Sequence, residues 1–128
     1  MKLAKKKKQP TQKNLTTKLD KVFGEIVRNI GKCVRCGKTE YLQAAHIFTR
    51  KKRAIRWDFL NSLCLCVGCH YWAHDNPLYF RDFVKEVYGE ENYNEIHLKG
   101  NLSKKWTLDE KIELLEKLNK IKNNLNKT

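Results

Sequence analysis

The chain has no apolar run approaching the roughly 18 residues that a membrane-spanning helix requires, so no contact with a bilayer is expected. Its lysine-rich start is not followed by the apolar stretch of a secretory signal, which argues against export and for the cytoplasm. It has no Gly-rich phosphate-binding loop, no internal repeat and no low-complexity linker after the basic start, so neither a P-loop nor a solenoid is indicated. Acidic residues are scarce, 14 against 27 Lys and Arg, which leaves a formal net charge of +13. Cysteines number five, and four of them stand in C-x2-C pairs, a pattern that suits a metal site in a reducing compartment better than a disulfide framework.

At 128 residues the expectation is one small domain with extensions. With 32% charged residues and a mean hydropathy of −0.70, the chain is hydrophilic and its core must be modest. A metal staple supports such a core, because zinc-binding energy becomes folding energy. The positive charge suits a polyanion, since Lys and Arg neutralise phosphates and release counterions. Charge alone does not decide the partner: Lys and Asn are both heavily used, and a solvated, Lys-biased surface has the same balance.

Residues 1–14 read as a basic arm, disordered when free, that either lies along DNA or keeps the protein in solution. Thr17-x-x-Asp20 offers a helix start, and Leu15, Leu19, Val22, Phe23, Ile26 and Val27 give the helix an apolar face from about Thr16 to Asn29, with Gly31 as the stop. Tyr41 to Ile47 suits a short strand, Phe48 to Leu60 a basic loop, and Ser62 to Leu65 a second strand; a helix should open near Cys69. Pro77 starts a helix that ends near Gly89, and residues 90–98 form a shorter helical segment. Thr107-x-x-Glu110 opens a last amphipathic helix, with Leu108, Ile112, Leu115, Leu118 and Leu125 near one side, that packs on its own domain or pairs with a second copy. The division expected is a core domain over residues 15–100 and a C-terminal helix over residues 101–128.

The chemistry concentrates between Cys33 and His74. Cys33-x2-Cys36 and Cys66-x2-Cys69, with Gly37 and Gly68 at the turns, supply four thiolates, enough to close a tetrahedral zinc shell. The interval between the pairs, residues 37–65, is longer than in a simple ribbon, so something is inserted there. Cys64 is left over, as a small apolar residue in a strand or a competitor for the metal. His70 and His74 are four apart on a helix and project from one face, as a two-histidine metal site needs. His46 ends a strand, where a neutral imidazole is suited to take a proton from water. Asn61 is placed to brace the loop or to orient the His46 ring. His97 reads as a surface residue. Such polar groups beside a rigid knuckle in a basic chain suggest metal-assisted hydrolysis of a phosphodiester.

The order Cys33-x2-Cys36, His46, Asn61, Cys66-x2-Cys69-His70-x3-His74 resembles the HNH, or ββα-metal, endonucleases that carry two zinc knuckles. Arg56-Trp57-Asp58 and Cys69-His70-x-Trp72-x-His74-x-Asn76-Pro77 are similar in particular to small phage nucleases of the NinG recombination type, over about residues 15–88. The resemblance implies an α+β fold, a small zinc-stapled ββα-metal core flanked by N- and C-terminal helices. It implies His46 as general base, Asn61 as the central Asn of the motif, and His70 and His74 as ligands of a catalytic divalent ion, Mn²⁺ or Mg²⁺ or another, beside structural Zn²⁺. It also implies 5′-phosphate and 3′-hydroxyl products, and the host cytoplasm if the chain is phage-encoded. Where many members place an Asp or His before the base, this chain has Ala45, so water, a DNA phosphate or a carboxylate such as Asp75 must complete the metal shell.

The expectation is therefore a metal-dependent DNA endonuclease that hydrolyses phosphodiester bonds, nicking DNA or acting on branched recombination intermediates. Arg50, Arg53 and Arg56 would hold the DNA backbone, and Lys51 and Lys52 would add unspecific charge. The rival reading is a catalytically silent zinc-knuckle DNA-binding module. The oligomeric state, monomer or homodimer, is left open by the sequence.

Overall fold

The computed structural model describes residues 10–127. The basic residues 1–9 expected to form most of the arm lie outside the described residues. Five helices and one two-stranded sheet follow in the order α1 (Gln12–Arg28), β1 (Leu42–His46), β2 (Ser62–Cys66), α2 (Val67–Asp75), α3 (Pro77–Tyr88), α4 (Glu90–Gly100) and α5 (Leu108–Leu125). The fold is thus α+β, and among the described residues no helix is long and apolar enough to cross a membrane.

The first helix starts earlier than the Thr17-x-x-Asp20 signal suggests. Thr11 is its N-cap, and the Thr11 hydroxyl accepts from the Asn14 N–H, satisfying one of the free donors of the first turn. Gln12, Lys13 and Asn14, expected in the arm, are therefore helical. Thr17 sits inside the helix and donates its hydroxyl to the Lys13 carbonyl. Asp20 caps nothing; it turns to the loop before β2. The stop is as expected: Gly31 has φ +84°, a left-handed conformation that a side chain would strain.

The strands are antiparallel, with Leu42 opposite Cys66, Ala44 opposite Cys64 and His46 opposite Ser62. Every residue of β2 is buried, because the sheet is covered on both faces. Leu63 and Leu65 pack with Ala45, Ala73, Phe80 and Val84 on the side of α2 and α3. Cys64 turns the other way, with Leu19, Phe23, Val27 and Trp57. Leu118 of α5 joins that second cluster, so the last helix packs on its own chain, along α1. The capping box expected at its start is present in both directions, Thr107 Oγ1 accepting from Glu110 N–H and Glu110 accepting from Thr107 N–H. Gln12 reaches the Trp106 carbonyl, Lys111 reaches Thr16, and Lys122 pairs with Glu25, an ascending series that makes α1 and α5 parallel.

Candidate metal centre and adjoining cleft

The four paired cysteines form a cluster able to hold a metal ion such as zinc. Their Sγ atoms all lie within 4.8 Å of one another, and Cys36 and Cys66 stand 3.6 Å apart. A tetrahedral ZnS4 shell with Zn–S near 2.3 Å places its sulfurs roughly 3.8 Å apart, so the donor set fits in both chemistry and span. The first knuckle turns at Gly37, φ +81°, whose N–H donates to the Cys33 carbonyl. The second is the start of α2, where the Cys69 N–H points at Cys66 Sγ at 3.5 Å. Burial works against ionising Cys33, yet backbone hydrogen bonds at Cys66, Cys36 and Arg35 bring it down to about 6. Burial pushes Cys69 up to about 12, although the Arg35 guanidinium donates to its sulfur at 3.4 Å. Four cysteine sulfurs confined this closely would need a compensating cation to ionise together, and a metal held there would supply it. Arg35 also lies over the Trp72 ring, 3.6 Å from its centroid, and so ties the first knuckle to α2. Cys64 takes no part: it is fully buried on the α1 side of the sheet, the small apolar role expected of it.

Beside the knuckles, α1, β1, α2 and the start of α3 enclose an open cleft of about 690 Å³. His46, His70 and His74 all line it, together with Arg50 and Arg28. The His70 and His74 rings stack, their centroids 4.9 Å apart, as the one-turn spacing on α2 requires. His70 Nδ1 stands 2.6 Å from Gln43 Oε1, so Nδ1–H donates and Nε2 is left with its lone pair. Burial, with the neighbouring charges of His74 and His46, lowers the His70 pKa and favours the neutral, ligating form. His46 Nε2 is 3.2 Å from the Arg56 carbonyl; it donates there, and Nδ1 remains as a base. Burial lowers the His46 pKa, the Arg56 carbonyl opposes this, and the Arg50 charge adds to the lowering.

Among the described residues the cysteine cluster is the one grouping of three or more such ligands; the histidines of the cleft do not converge into another. His70 and His74 therefore form a pair, with His46 apart from it. Ala45 is buried in the cleft wall, and Asp75, considered as the missing ligand, is exposed and does not line the cleft. The carboxylate that does line it is Asp20, which is already engaged.

Asn61 takes up the bracing of the loop, one of the two tasks expected of it. Fully buried, it accepts from the Phe48 N–H at 2.8 Å and donates to the carbonyls of Phe48 and Ile55. These bonds close the loop between the strands. Bracing, not ring orientation, is its role.

The basic residues of that loop diverge. Arg50 reaches the cleft and remains largely exposed, 3.6 Å from Asp20. Lys52 is held by Asn101 at 3.0 Å, and Lys51 is exposed. Arg56, expected on DNA, is spent inside the molecule: Nε and Nη2 grip the two Asp20 oxygens at 3.0 and 2.6 Å. Arg53 points to a second pocket. His97 is exposed as expected, but its ring stacks on Phe48 at 5.0 Å and so supports the loop.

Three residues of the cleft escaped the sequence reading. Gln43 lies two before Ala45, on the same face of β1, and only the strand's alternation hints that it looks towards α2. Arg28 follows Gly24 by one helical turn, and a side chain at Gly24 would meet its guanidinium at 2.8 Å. Asp20 looked like a helix cap. Compared with known protein families, with curated proteins and with solved structures, the chain matches none.

Proposed function

We propose that the protein is a metal-dependent endonuclease of the HNH type, acting on DNA. The observation that carries the reading is one cleft lined by a half-buried imidazole whose Nε2 is held by a backbone carbonyl, a stacked histidine pair with a fixed tautomer, and two arginines. A divalent ion held by His70 and His74 would supply positive charge for the scissile phosphate and the leaving 3′-oxygen. His46 acts through Nδ1 as the base that takes a proton from the attacking water, while its Nε2–H stays on the Arg56 carbonyl and holds the ring in place. Arg50 and Arg28 bind the phosphates on either side of the scissile bond. Asn61 and the Asp20–Arg56 pair keep the loop, and with it His46, at the mouth of the cleft. With Ala45 beside the base, two neutral imidazoles are the protein's share of the metal shell, a set that favours Mn²⁺ over the oxygen-seeking Mg²⁺.

The test is nicking of a supercoiled plasmid with Mn²⁺, with Mg²⁺ and with EDTA. Wild type is expected to cut, faster in Mn²⁺, and His46→Ala to lose about 10²-fold or more at retained DNA affinity. Binding without cutting under every metal would favour the silent zinc-knuckle module instead. A panel of duplex, single-stranded and branched DNA then sorts the substrate form.

A further inference from the structure

A second pocket, of about 380 Å³, opens where the basic loop meets the starts of α1 and α5. Its walls carry Arg53, Arg56, Lys105 and Lys111 around the indoles of Trp57 and Trp106. Because α1 and α5 run parallel, both helix N-termini, with their positive dipole ends, lie on this side of the molecule. Among the described residues, the Arg53 and Lys105 side chains have no hydrogen-bond or ion-pair partner, so their charge is free for a ligand. Burial holds the Lys111 pKa below its ordinary value, and the charges of Arg56 and Arg53 add to the effect. The Trp106 ring is fixed by its N–H on the Arg53 carbonyl at 2.9 Å and meets Trp57 edge-on at 5.4 Å. The Asp20–Arg56 pair joins this pocket to the cleft, since Asp20 lines one and Arg56 the other.

We infer that this pocket binds an unpaired nucleotide of the nucleic-acid substrate, its phosphate on Arg53, Lys105 and Lys111 and its base against Trp106. The inference rests on the nucleic-acid partner of the proposed function. The volume admits one nucleotide and excludes a duplex. Free cations alone would suit any polyanion, but a fixed indole beside them selects a ligand with a π-face, as in single-strand binding generally. The consequence is a preference for DNA that has an unpaired segment close to the duplex held in the cleft.

The experiment measures binding of the full chain, without divalent metal, to three fluorescent probes: a blunt duplex, the same duplex with a short single-stranded tail, and the duplex with an abasic tail. The tailed duplex should bind about tenfold more tightly than the blunt one, and the abasic tail should lose most of that gain. Arg53→Ala with Lys105→Ala, both exposed and so safe for folding, should reduce the tailed-to-blunt ratio towards one and lower the salt slope for the tailed probe by about 1.4. Trp106→Leu should lower the ratio without changing that slope. Equal binding of tailed and blunt duplex, or a ratio that survives in the double variant or with the abasic tail, overturns the inference. A tail preference that depends on these residues in a protein that never cuts DNA upholds it while the endonuclease reading falls.

Discussion

Asp20 accepts hydrogen bonds from Arg56 Nε and Nη2 and from Trp57 Nε1, three donors from two neighbouring residues of the loop. Burial alone would raise its pKa, but those hydrogen bonds and the Arg56 and Arg50 charges bring it below the ordinary 3.8. A depressed carboxyl contributes stability that is fully present above the unfolded value and fades as pH falls through the folded one. Asp20→Asn should therefore cost about 1–2 kcal/mol at neutral pH, with the gap to wild type closing below about pH 4. Urea midpoints of the two proteins against pH, with a carboxyl NMR titration of Asp20, check this; a gap independent of pH would refute it. The same substitution frees Arg56, whose carbonyl holds His46, so activity should fall more than stability does. Gln43 offers a second residue-scale test. Gln43→Leu removes the acceptor that fixes the His70 tautomer and should weaken Mn²⁺ binding by about 10–100-fold while the fold persists. Calorimetric titration of Mn²⁺ reads this directly, and unchanged affinity would remove Gln43 from the proposed His70–His74 site.

Among the elements, α5 shows how a helix of mixed character is placed. Its leucines suit either a partner chain or its own domain, and the apolar face of α1 decides: Leu118 is 2% exposed beneath it. Leu118→Ala should destabilise by about 2–4 kcal/mol, and Leu102→Ala, outside any helix and 65% exposed, by about 0.5 kcal/mol or less. Denaturant melts of both variants make the comparison; equal effects would mean that α5 is held by its ends alone. The loop between the strands is held differently, by Asn61 and by rings such as Phe48 on His97. Its position is consequently set by α1 and α4 as much as by its own residues.

For the whole molecule, the cysteine cluster links parts that the small sheet could not hold alone: the first knuckle, the end of β2 and the start of α2. Purified protein should carry one tightly held zinc per chain. Cys36→Ser, or stripping by a strong chelator, should unfold the chain or lower its melting temperature by at least about 10 °C. Elemental analysis beside thermal unfolding is the measurement, and zinc-free protein with an unmoved cooperative transition would contradict it. Cys64→Ala should leave the zinc content intact, since that residue packs under α1.

Local rules settled much of this in advance. The C-x2-C pairs, the alternation around β1, Pro77 at a helix start and the Thr107–Glu110 box each state their structure within a few residues, because ligand spacing, strand period and capping are short-range physics. The His70–His74 pair follows from helical pitch in the same way. What the sequence could not decide was which polar groups are already satisfied. Arg56 read as a DNA contact until α1 brought Asp20 against it, Asn61 could brace the loop or orient the His46 ring until the folded loop surrounded its amide, and Thr17-x-x-Asp20 read as a cap until Thr11 took that place. Whether a charge or an amide is free for a substrate depends on partners dozens of residues away, and only the packing of α1, the sheet and the loop against one another fixes those partners.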